Sequence, residues 1–289
     1  MKIYLDCIPC FVRQALDSAR MVTDDEDTHQ QVLTEVLALS QKLDLHQSPP
    51  AIARVIHQRI RHLTQNSDPY RQIKQRHNQL SLQLYNKLSP VVSSADNAIE
   101  TAVRLAIAGN IIDLGAKTSL SESSIMDTIN NSLTESMSHE FLDKFKDDID
   151  HSASILYLTD NAGEIVFDRL LIEQLPMHKI TVAVKGSPVI NDATMDDAVQ
   201  AGLTKIVKVI DNGSDGPGTL LDTCSKDFLQ CFQDSDLIIS KGQGNYESLS
   251  SIQNKNIYFL LKAKCPVIAS DIGCDIGQMI LITNNKSKI

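Results

Sequence analysis

Two residues with oxygen-bearing side chains, Asp160 and Asn161, directly follow a short run of β-favouring residues, 155–159. A pair of small residues comes next, and Glu164 then begins an amphipathic run that extends to Leu175. The pattern predicts a strand, a tight turn and a helix. A carboxylate and an amide oxygen beside a helix N-terminus suit a hard cation and a phosphate group. Asp160 would alternatively serve only as the N-cap of that helix.

Three more polar loops follow later β-rich runs in the C-terminal half of the chain. The first contains Lys185 and Asp192, the second is the glycine-rich segment 211–218, and the third contains Lys241 and Asn245. If the runs are parallel strands, their loops emerge at one edge of the sheet, where open α/β sheets bind ligands. We therefore expect the four loops to contribute to one site.

The acidic and amide side chains of these loops predict a metal site. Asp160, Asn161 and Asp192 supply the carboxylate and amide oxygens that hard divalent cations such as Mg²⁺ and Mn²⁺ prefer. The sequence contains no Ser-His-Asp order that would predict a hydrolase triad, and most of its histidines lie in the N-terminal half. We therefore expect the chemistry of the site to rest on a cation.

The basic and small residues of the same loops predict a phosphate site. Lys185 and Lys241 supply cations for phosphoryl oxygens, and Gly242 and Gly244 allow backbone N–H groups to approach an anion closely. Asn245 is a further candidate for phosphate binding. For any one of these loops alone, capping and turn formation are the better explanation. Four polar loops in succession after four strands favour a site for phosphate and metal.

The segments that must position these loops predict an α/β, Rossmann-like unit over residues 151–289, with a mostly parallel sheet and flanking helices. Short β-rich runs alternate with helical runs there, as they do in parallel sheets covered on both faces. The predicted strands are 155–159, 179–184, 205–210, 236–240 and 256–261, with 266–269 as a candidate sixth. The predicted helices between them are 164–175, 194–201 and 219–233.

Residues 1–150 predict an all-α N-terminal domain that contributes to the cleft. Their apolar residues recur at helical spacing, and Pro49-Pro50 and Asp68-Pro69 mark helix beginnings. The predicted helices are 8–21, 28–43, 51–63, one from Asp68-Pro69 to 88, one from Ser94 or Asp96 to 107, 121–129 and 138–149.

The composition excludes several classes of partner. The formal net charge is −9 and Trp is absent, which argues against general nucleic-acid binding. No apolar run approaches the roughly 20 residues of a membrane span, and the N-terminus does not resemble a signal peptide. Six cysteines in 289 residues do not form a disulfide framework. We expect a reduced, cytoplasmic protein without a membrane partner, and the sequence allows an oligomer.

Three motifs together carry a family resemblance. They are Asp160-Asn-Ala-Gly-Glu164, Lys185-Gly-x-Pro-x-x-Asn-Asp-x-Thr194 and Ser240-Lys-Gly-x-Gly-Asn-Tyr-Glu247. In this order and spacing they resemble the metal-dependent damage-control phosphatase (ARMT-like) family. Cys7-Ile-Pro-Cys10 is similar to the branch of that family with an N-terminal Cys-x-x-Cys. Segments 68–78, 108–113 and 259–265 also resemble the family, so the likeness covers nearly the whole chain.

The resemblance implies a helical N-terminal domain, an α/β C-terminal domain and a divalent cation. The cation (Mn²⁺, Mg²⁺, Co²⁺ or Ni²⁺) would be held by Asp160, Asn161 and Asp192. The implied reaction is the hydrolysis of small phosphorylated metabolites, such as sugar phosphates or damaged phosphorylated cofactors. The resemblance also implies that Asn110 and Asp113 lie at the cleft and contact the substrate.

The expected mechanism divides the work between the cation and the side chains. The cation would polarise the phosphoryl group and lower the pKa of a bound water. Lys241, with help from Lys185, would neutralise the developing charge. The attacking group is either water or Asp160, which would form a phospho-enzyme. Glu164 either caps its own helix or orients the bound water.

Two other classes of function fit parts of the pattern. One is a nucleotide-cofactor enzyme, such as an S-adenosylmethionine-dependent methyltransferase or a dehydrogenase, although the first loop lacks G-x-G-x-x-G. The other is a non-catalytic module that binds a phosphometabolite or a metal.

Two features of the sequence are not explained by any of these functions. The six basic residues at 54, 59, 61, 71, 74 and 76 predict a solvated face or a surface that steers anions. Cys7 and Cys10 form either a redox pair or buried packing.

Overall fold

The structure is a computed structural model that describes residues 1–110, 122–135 and 137–284. The N-terminal half of the chain is a series of helices. These helices are α1 (Cys7–Val22), α2 (Glu26–Ser40), α3 (Pro49–Thr64), α4 (Arg71–Ser93), α5 (Ala98–Ala108), α6 (Glu122–Thr134) and α7 (His139–His151). Across these residues, every helix is too short or too polar to span a bilayer.

An α/β unit with one six-stranded sheet follows. Its strands are β1 (Ile155–Leu158), β2 (Ile180–Val184), β3 (Lys208–Asp211), β4 (Leu237–Lys241), β5 (Asn256–Lys262) and β6 (Met279–Thr283). Its helices are α8 (Glu164–Ile172), α9 (Met195–Gln200), α10 (Lys226–Asp234), α11 (Gln243–Leu249) and α12 (Pro266–Ile272). The strand order is β3-β2-β1-β4-β5-β6, and every neighbouring pair is parallel except the antiparallel pair β5 and β6.

The strands are apolar throughout because both faces of the sheet are covered. Successive side chains of a strand point to opposite faces. Ile155 and Tyr157 of β1 pack into one hydrophobic cluster with helices α4 to α8. Leu156 and Leu158 pack into a second cluster with α10, α11 and α12. This double coverage explains the near-continuous apolar runs in the sequence.

The order of the strands creates a crevice at the carboxyl end of β1. From β1 the chain proceeds outward through β2 and β3, and it then returns to the other side of β1 with β4. The connections on the two sides therefore leave β1 in opposite directions. In open α/β sheets this reversal of strand order is where ligands bind. Asp160 follows β1 at this point, and Lys241 ends the neighbouring β4.

The prediction of a mixed α/β fold with a mostly parallel sheet is confirmed, with one wrong strand. Residues 266–269 form the beginning of helix α12, because Pro266 occupies the first helical turn, where its missing N–H costs nothing. A short apolar run cannot by itself distinguish a strand from a buried helix. The sixth strand is β6, an antiparallel edge strand that the sequence analysis did not predict.

The helical half contains two kinds of packing. Helices α1, α2 and α3 enclose a cluster of their own, which includes Phe11, Val32 and Ile56. Helices α4 to α7 instead contribute to the cluster that covers the sheet; Leu84 and Phe145 are examples. A separate all-α domain over residues 1–150 is therefore not confirmed, and the boundary at about residue 150 stays a prediction.

Buried and half-buried polar contacts join the helical half to the sheet. Lys74 of α4 pairs with Asp197 at 3.3 Å. Arg54 and Arg61 of α3 both pair with Asp215, at 2.5 and 2.7 Å, in the loop after β3. Three of the six basic residues between 54 and 76 therefore hold the two halves together, which the sequence pattern did not indicate.

Asn78 of α4 links the two halves directly beside the crevice. Its Nδ2 donates to Asp197 Oδ1 at 2.8 Å, and its Oδ1 accepts from the backbone N–H of Gly163 at 2.7 Å. The side chain is fully buried. Asn78→Ala leaves a buried N–H and a buried carboxylate without these partners, so we expect it to lower the free energy of unfolding by about 3 kcal/mol.

Urea denaturation measures this loss as a lower midpoint at an unchanged slope. The matched control is Asn131→Ala, because Asn131 is an exposed residue within α6. We expect the control to change the free energy of unfolding by less than about 0.5 kcal/mol. Equal midpoints for the two variants would show that the Asn78 contacts do not stabilise the fold.

Candidate active site

A cleft of about 810 Å³ lies between the carboxyl edge of the sheet and the N-terminal helices. Asp160, Asn161 and Asp192 line it from the sheet edge, and Asn110 lines it from the end of α5. Residues of α1, α3 and α4, together with Tyr70 just before α4, form the opposite wall. The cleft therefore opens at the crevice where the strand order reverses.

The loops after β1 and β2 are joined by backbone hydrogen bonds. The N–H of Ala162 donates to the carbonyl of Asn191, and the N–H of Ala193 donates to the carbonyl of Asp160, both at 2.8 Å. Asn161 and Asp192 lie opposite each other in this short antiparallel bridge. Since these bonds flank the pair, it is of the closer kind, with Cα atoms about 4.5 Å apart. The structure thus brings the three residues of the predicted metal set together.

Two amides hold the carboxylate of Asp160. The Nδ2 atoms of Asn161 and Asn110 donate to its Oδ2 at 2.8 and 3.2 Å. Burial, and then the neighbouring carboxylates of Glu164 and Asp192, raise the pKa of Asp160 well above its usual range. The charge of Lys264 opposes this shift. The carboxylates of Asp160, Glu164 and Asp192 thus lie close enough to repel one another, and a nearby cation would relieve this repulsion.

Gly242 gives the Asp160 carboxylate its space. A Cβ atom at position 242 would lie 1.9 Å from Asp160 Oδ2, well inside contact distance. The residue also has φ +80° and ψ 168°, a conformation that is essentially restricted to glycine. Its N–H donates to the carbonyl of Leu260 at 3.0 Å. Gly242 therefore accommodates Asp160, and its N–H is already engaged within the fold.

Lys241 is fully buried below the site. Its ammonium donates to Glu164 Oε1 at 2.6 Å, to Asp168 Oδ1 at 2.6 Å and to the carbonyl of Ala106 at 2.8 Å. An ammonium has three N–H donors, so each of them has a partner. The sequence pattern predicts that Lys241 faces the phosphoryl group, whereas these contacts direct its ammonium toward the protein interior.

Glu164 and Asp168 of α8 are the two carboxylates around this lysine. Glu164 Oε2 accepts from Asn110 at 2.7 Å and from Asn161 at 3.1 Å. Glu164 thus contacts both amides that hold Asp160, and it does not cap its own helix, for which Gly163 is the N-cap. Burial raises the pKa of Asp168 to about 6, although the charge of Lys241 opposes that shift.

Lys185 and Asn245 are also engaged within the protein. The Nζ atom of Lys185 donates to the carbonyl of Gly218 and lies 3.4 Å from Asp192 Oδ2. Asn245 donates to the carbonyls of Thr159 and Lys241, at 3.0 and 2.8 Å. Both side chains are buried and connect the loops of the sheet edge. Their contacts fit a structural contribution more closely than contact with phosphate.

The cleft contains basic residues that were not predicted as site residues. Lys262 and Lys264 line it at the end of β5, and the charge of Lys264 reaches Asp160. The signal was present, because both lysines lie in a segment that carried the family resemblance. Cys7, Cys10 and Cys265 line the same cleft. Asp113, the remaining predicted site residue, lies outside the described residues.

The donor set fits a hard cation, although one of its three side chains is an amide and not a carboxylate. Among residues 1–110, 122–135 and 137–284, no group of three or more His, Cys, Asp or Glu is arranged to hold a metal ion. The set of Asp160, Asn161 and Asp192 has two carboxylates and one amide, so it is not such a group. In this same part of the chain, the Oδ1 of Asn110 is buried without a hydrogen-bond partner. All of these donors are oxygens, as Mg²⁺ and Mn²⁺ require.

Comparison with known families gives a match over nearly the full length. A family model described as the damage-control phosphatase ARMT1-like domain matches residues 3–280. An uncharacterised protein of Methanocaldococcus jannaschii is 39% identical over 293 positions, which cover 98% of this chain and 95% of that protein. The likeness therefore includes both the helical half and the sheet.

Two further relatives are named for an activity. A damage-control phosphatase of Archaeoglobus fulgidus is 34% identical, with coverage of 97% of this chain and 98% of that protein. One of Pyrococcus horikoshii is 32% identical, with coverage of 98% and 99%. A crystal structure of a DUF89 family protein from Pyrococcus horikoshii has a TM-score of 0.89 at 30% identity. The alignment of the two folds covers 99% of this chain and 100% of that one.

Proposed function

This chain belongs to the ARMT1-like damage-control phosphatase family, and we propose that it is a phosphatase that depends on a divalent cation. Its substrates are small phosphorylated metabolites, such as sugar phosphates or damaged phosphorylated cofactors. We expect it to act in the cytoplasm, without a nucleic-acid or membrane partner. The two relatives above carry the name of the activity, and the site supplies the chemical reason for it.

One observation supports this proposal above the others. The Asn161–Asp192 bridge joins two loops at the point where the strand order reverses, and it gathers carboxylate and amide oxygens at the edge of a cleft. A dinucleotide site at this position would need bare glycine backbone around a pyrophosphate. The acidic side chains found here instead favour a cation that bridges the protein and a phosphate group.

The chain's own residues then have distinct tasks. Asp160, Asn161 and Asp192 would hold the cation, which could be Mn²⁺, Mg²⁺, Co²⁺ or Ni²⁺. When bound, it would withdraw charge from the phosphoryl oxygens and make water more acidic. The amide of Asn110 keeps Asp160 oriented, since it donates to Asp160 Oδ2.

Lys264 is the residue that we propose for charge neutralisation on the phosphoryl group. It lines the cleft, and its charge acts on Asp160. We expect Lys264→Gln to lower kcat/KM for a phosphate ester by roughly tenfold to a hundredfold, because a charge-assisted contact in the transition state is lost. The measurement is steady-state phosphate release at saturating Mn²⁺.

Lys42→Gln is the matched control for this prediction. Lys42 is an exposed lysine just after α2, at a distance from the cleft lining. The control should retain the kcat/KM of the unmodified protein, and both variants should keep its urea midpoint. Equal kcat/KM values for the two variants would contradict the role of Lys264.

A substrate screen tests the function as a whole. The purified chain, stripped of metal with a chelator, is assayed for phosphate release from a panel of sugar phosphates and phosphorylated cofactors. We expect release only after Mn²⁺, Mg²⁺, Co²⁺ or Ni²⁺ is restored. Absence of release with every cation, combined with binding of S-adenosylmethionine or NAD, would favour a nucleotide-cofactor enzyme. Binding of phosphometabolites without turnover would favour a binding module.

A further inference from the structure

We infer that Lys241 is a positioning residue. It does not contact the substrate; it fixes the carboxylate of Asp160 from below, through two separate connections. One connection passes through Glu164, and the other passes through the end of helix α5, which is followed by Asn110. The catalytic consequence of this inference rests on the function proposed above, whereas its structural consequence does not.

The contacts of Lys241 leave no donor for a substrate. Its side chain is fully buried, and its three N–H groups donate to two carboxylates and one backbone carbonyl at 2.6 to 2.8 Å. A phosphoryl oxygen could be reached only if one of these bonds broke. Breaking a charged bond inside the protein is costly, because the remaining partner would be buried and unpaired. Lys241 therefore acts on the site through the groups that it holds.

The first connection runs through Glu164. Lys241 holds Oε1 of this carboxylate, which leaves Oε2 to accept from Asn110 and Asn161 at 2.7 and 3.1 Å. The same two amides donate to Asp160 Oδ2. Glu164 thus aligns the amides, and the amides align Asp160. Moving the Glu164 carboxylate would release both amides from their present orientation.

The second connection runs through helix α5. Lys241 donates to the carbonyl of Ala106, in the last turn of that helix. Asn110 follows the same turn of chain. Gly109 fixes this end against α8, because a Cβ at position 109 would lie 2.8 Å from Phe167 Cβ. Lys241 therefore holds two groups in position: the end of α5 that precedes Asn110, and the carboxylate of Glu164.

Asp168 is a counter-charge of Lys241, so the two side chains can be removed together by mutation. It is completely buried; its Oδ1 accepts from Lys241 at 2.6 Å and from the hydroxyl of Tyr157 at 2.9 Å. The carboxylate of Asp168 does not contact Asp160, Asn110 or Asn161 through any hydrogen bond found within the described residues. Removing Lys241 and Asp168 together thus deletes one cation and one anion, while Glu164 and its amides remain.

The test compares full-length Asp168→Asn with the double variant Lys241→Met and Asp168→Asn. Lys241→Met alone leaves two buried carboxylates without their cation and would unfold readily, so the double variant carries the test. We expect the double variant to fold, to lose kcat by about a hundredfold and to keep KM within about threefold. Asp168→Asn keeps the Lys241–Glu164 bond and should lose less than about tenfold in kcat.

A crystal structure of the double variant provides a readout that is independent of activity. We expect the bond from Asn110 to Glu164 Oε2 to be broken and the carboxylate of Asp160 to be rotated. Retention of those contacts, or a return of kcat to the value of the unmodified protein, would overturn the inference, because Lys241 would then only balance the charge of Asp168. If the unmodified protein releases no phosphate, the proposed function fails, and the structure alone decides the role of Lys241.

Discussion

Asp160→Asn and Asp192→Asn should each abolish metal-stimulated phosphate release while the fold survives. Each substitution removes one of the two carboxylates in the proposed cation set and keeps the shape of the side chain. Loss of one such charge from a preorganised site lowers kcat by about a thousandfold. The measurement is phosphate release from a generic phosphate ester across a Mn²⁺ titration. Unchanged release in both variants would reject the assignment of the metal site.

Stability should move in the opposite direction for Asp160→Asn. Burial, and then the carboxylates of Glu164 and Asp192, raise the pKa of Asp160, which means that its ionised form is unfavourable in the folded protein. A neutral amide removes this repulsion, so the melting temperature should stay the same or rise. This trade of stability for activity is common at functional sites. A variant that is inactive because it is unfolded would not show an unchanged or higher melting temperature.

Asp196→Asn is the matched control for these two variants. Asp196 lies four positions after Asp192, in the first turn of α9, and its side chain is exposed. The chemical change is identical, and Asp196 lies in the helix that directly follows the Asp192 loop. The control should retain full activity at every Mn²⁺ concentration. Equal losses in the control and in Asp192→Asn would mean that the loop, and not the carboxylate, is responsible.

Gly242→Ala is the second substitution with a large expected effect. The added Cβ would occupy a position 1.9 Å from Asp160 Oδ2, so the carboxylate must move. A displacement of about 1 Å at a reacting centre can lower the rate by about a hundredfold. We expect a loss of this size in kcat/KM, together with a lower melting temperature from the unfavourable backbone conformation at φ +80°.

Gly273→Ala separates these two effects. Gly273 ends α12 with φ +84°, and no atom lies within 4 Å of the position that its Cβ would occupy. The substitution therefore introduces left-handed backbone strain of about 1 kcal/mol without a steric clash. It should lower the melting temperature and leave kcat/KM unchanged. A loss of activity in Gly273→Ala as large as that in Gly242→Ala would assign the effect to general destabilisation.

The sequence was sufficient to predict which loops meet at the site. Buried parallel strands leave near-continuous apolar runs, and the polar residues that follow them must emerge at one edge. For this reason Asp160, Asn161 and Asp192 could be placed together before their distances were known. Their individual roles in metal binding remain proposals.

The partners of the buried lysine could not be predicted in the same way. Lys241 follows an apolar strand and precedes a glycine, which is also the pattern of a phosphate-binding lysine. Its actual partners, Ala106, Glu164 and Asp168, depend on how α5 and α8 pack over the sheet. Packing between elements that are distant in sequence leaves no periodic signal. The same reason explains why Asn78 and Asp215 were not recognised as links between the two halves.

The edge strand β6 was missed for a different reason. Met279–Thr283 pairs only with β5, in the antiparallel direction, and helix α12 lies between the two strands in the chain. The short apolar run 266–269 is predicted as the sixth strand, but it begins that helix, so the strand that follows the helix was overlooked. The position of the site was not affected, because β6 lies at the far edge from β1.

The most direct test of the central claim is the position of the cation. Crystals of the unmodified protein are soaked in Mn²⁺, and anomalous diffraction is recorded at the manganese edge. We predict one strong peak within about 2.5 Å of carboxylate oxygens of both Asp160 and Asp192. Strong peaks elsewhere, with none between these two side chains, would contradict a metal-dependent phosphatase site at this edge of the sheet.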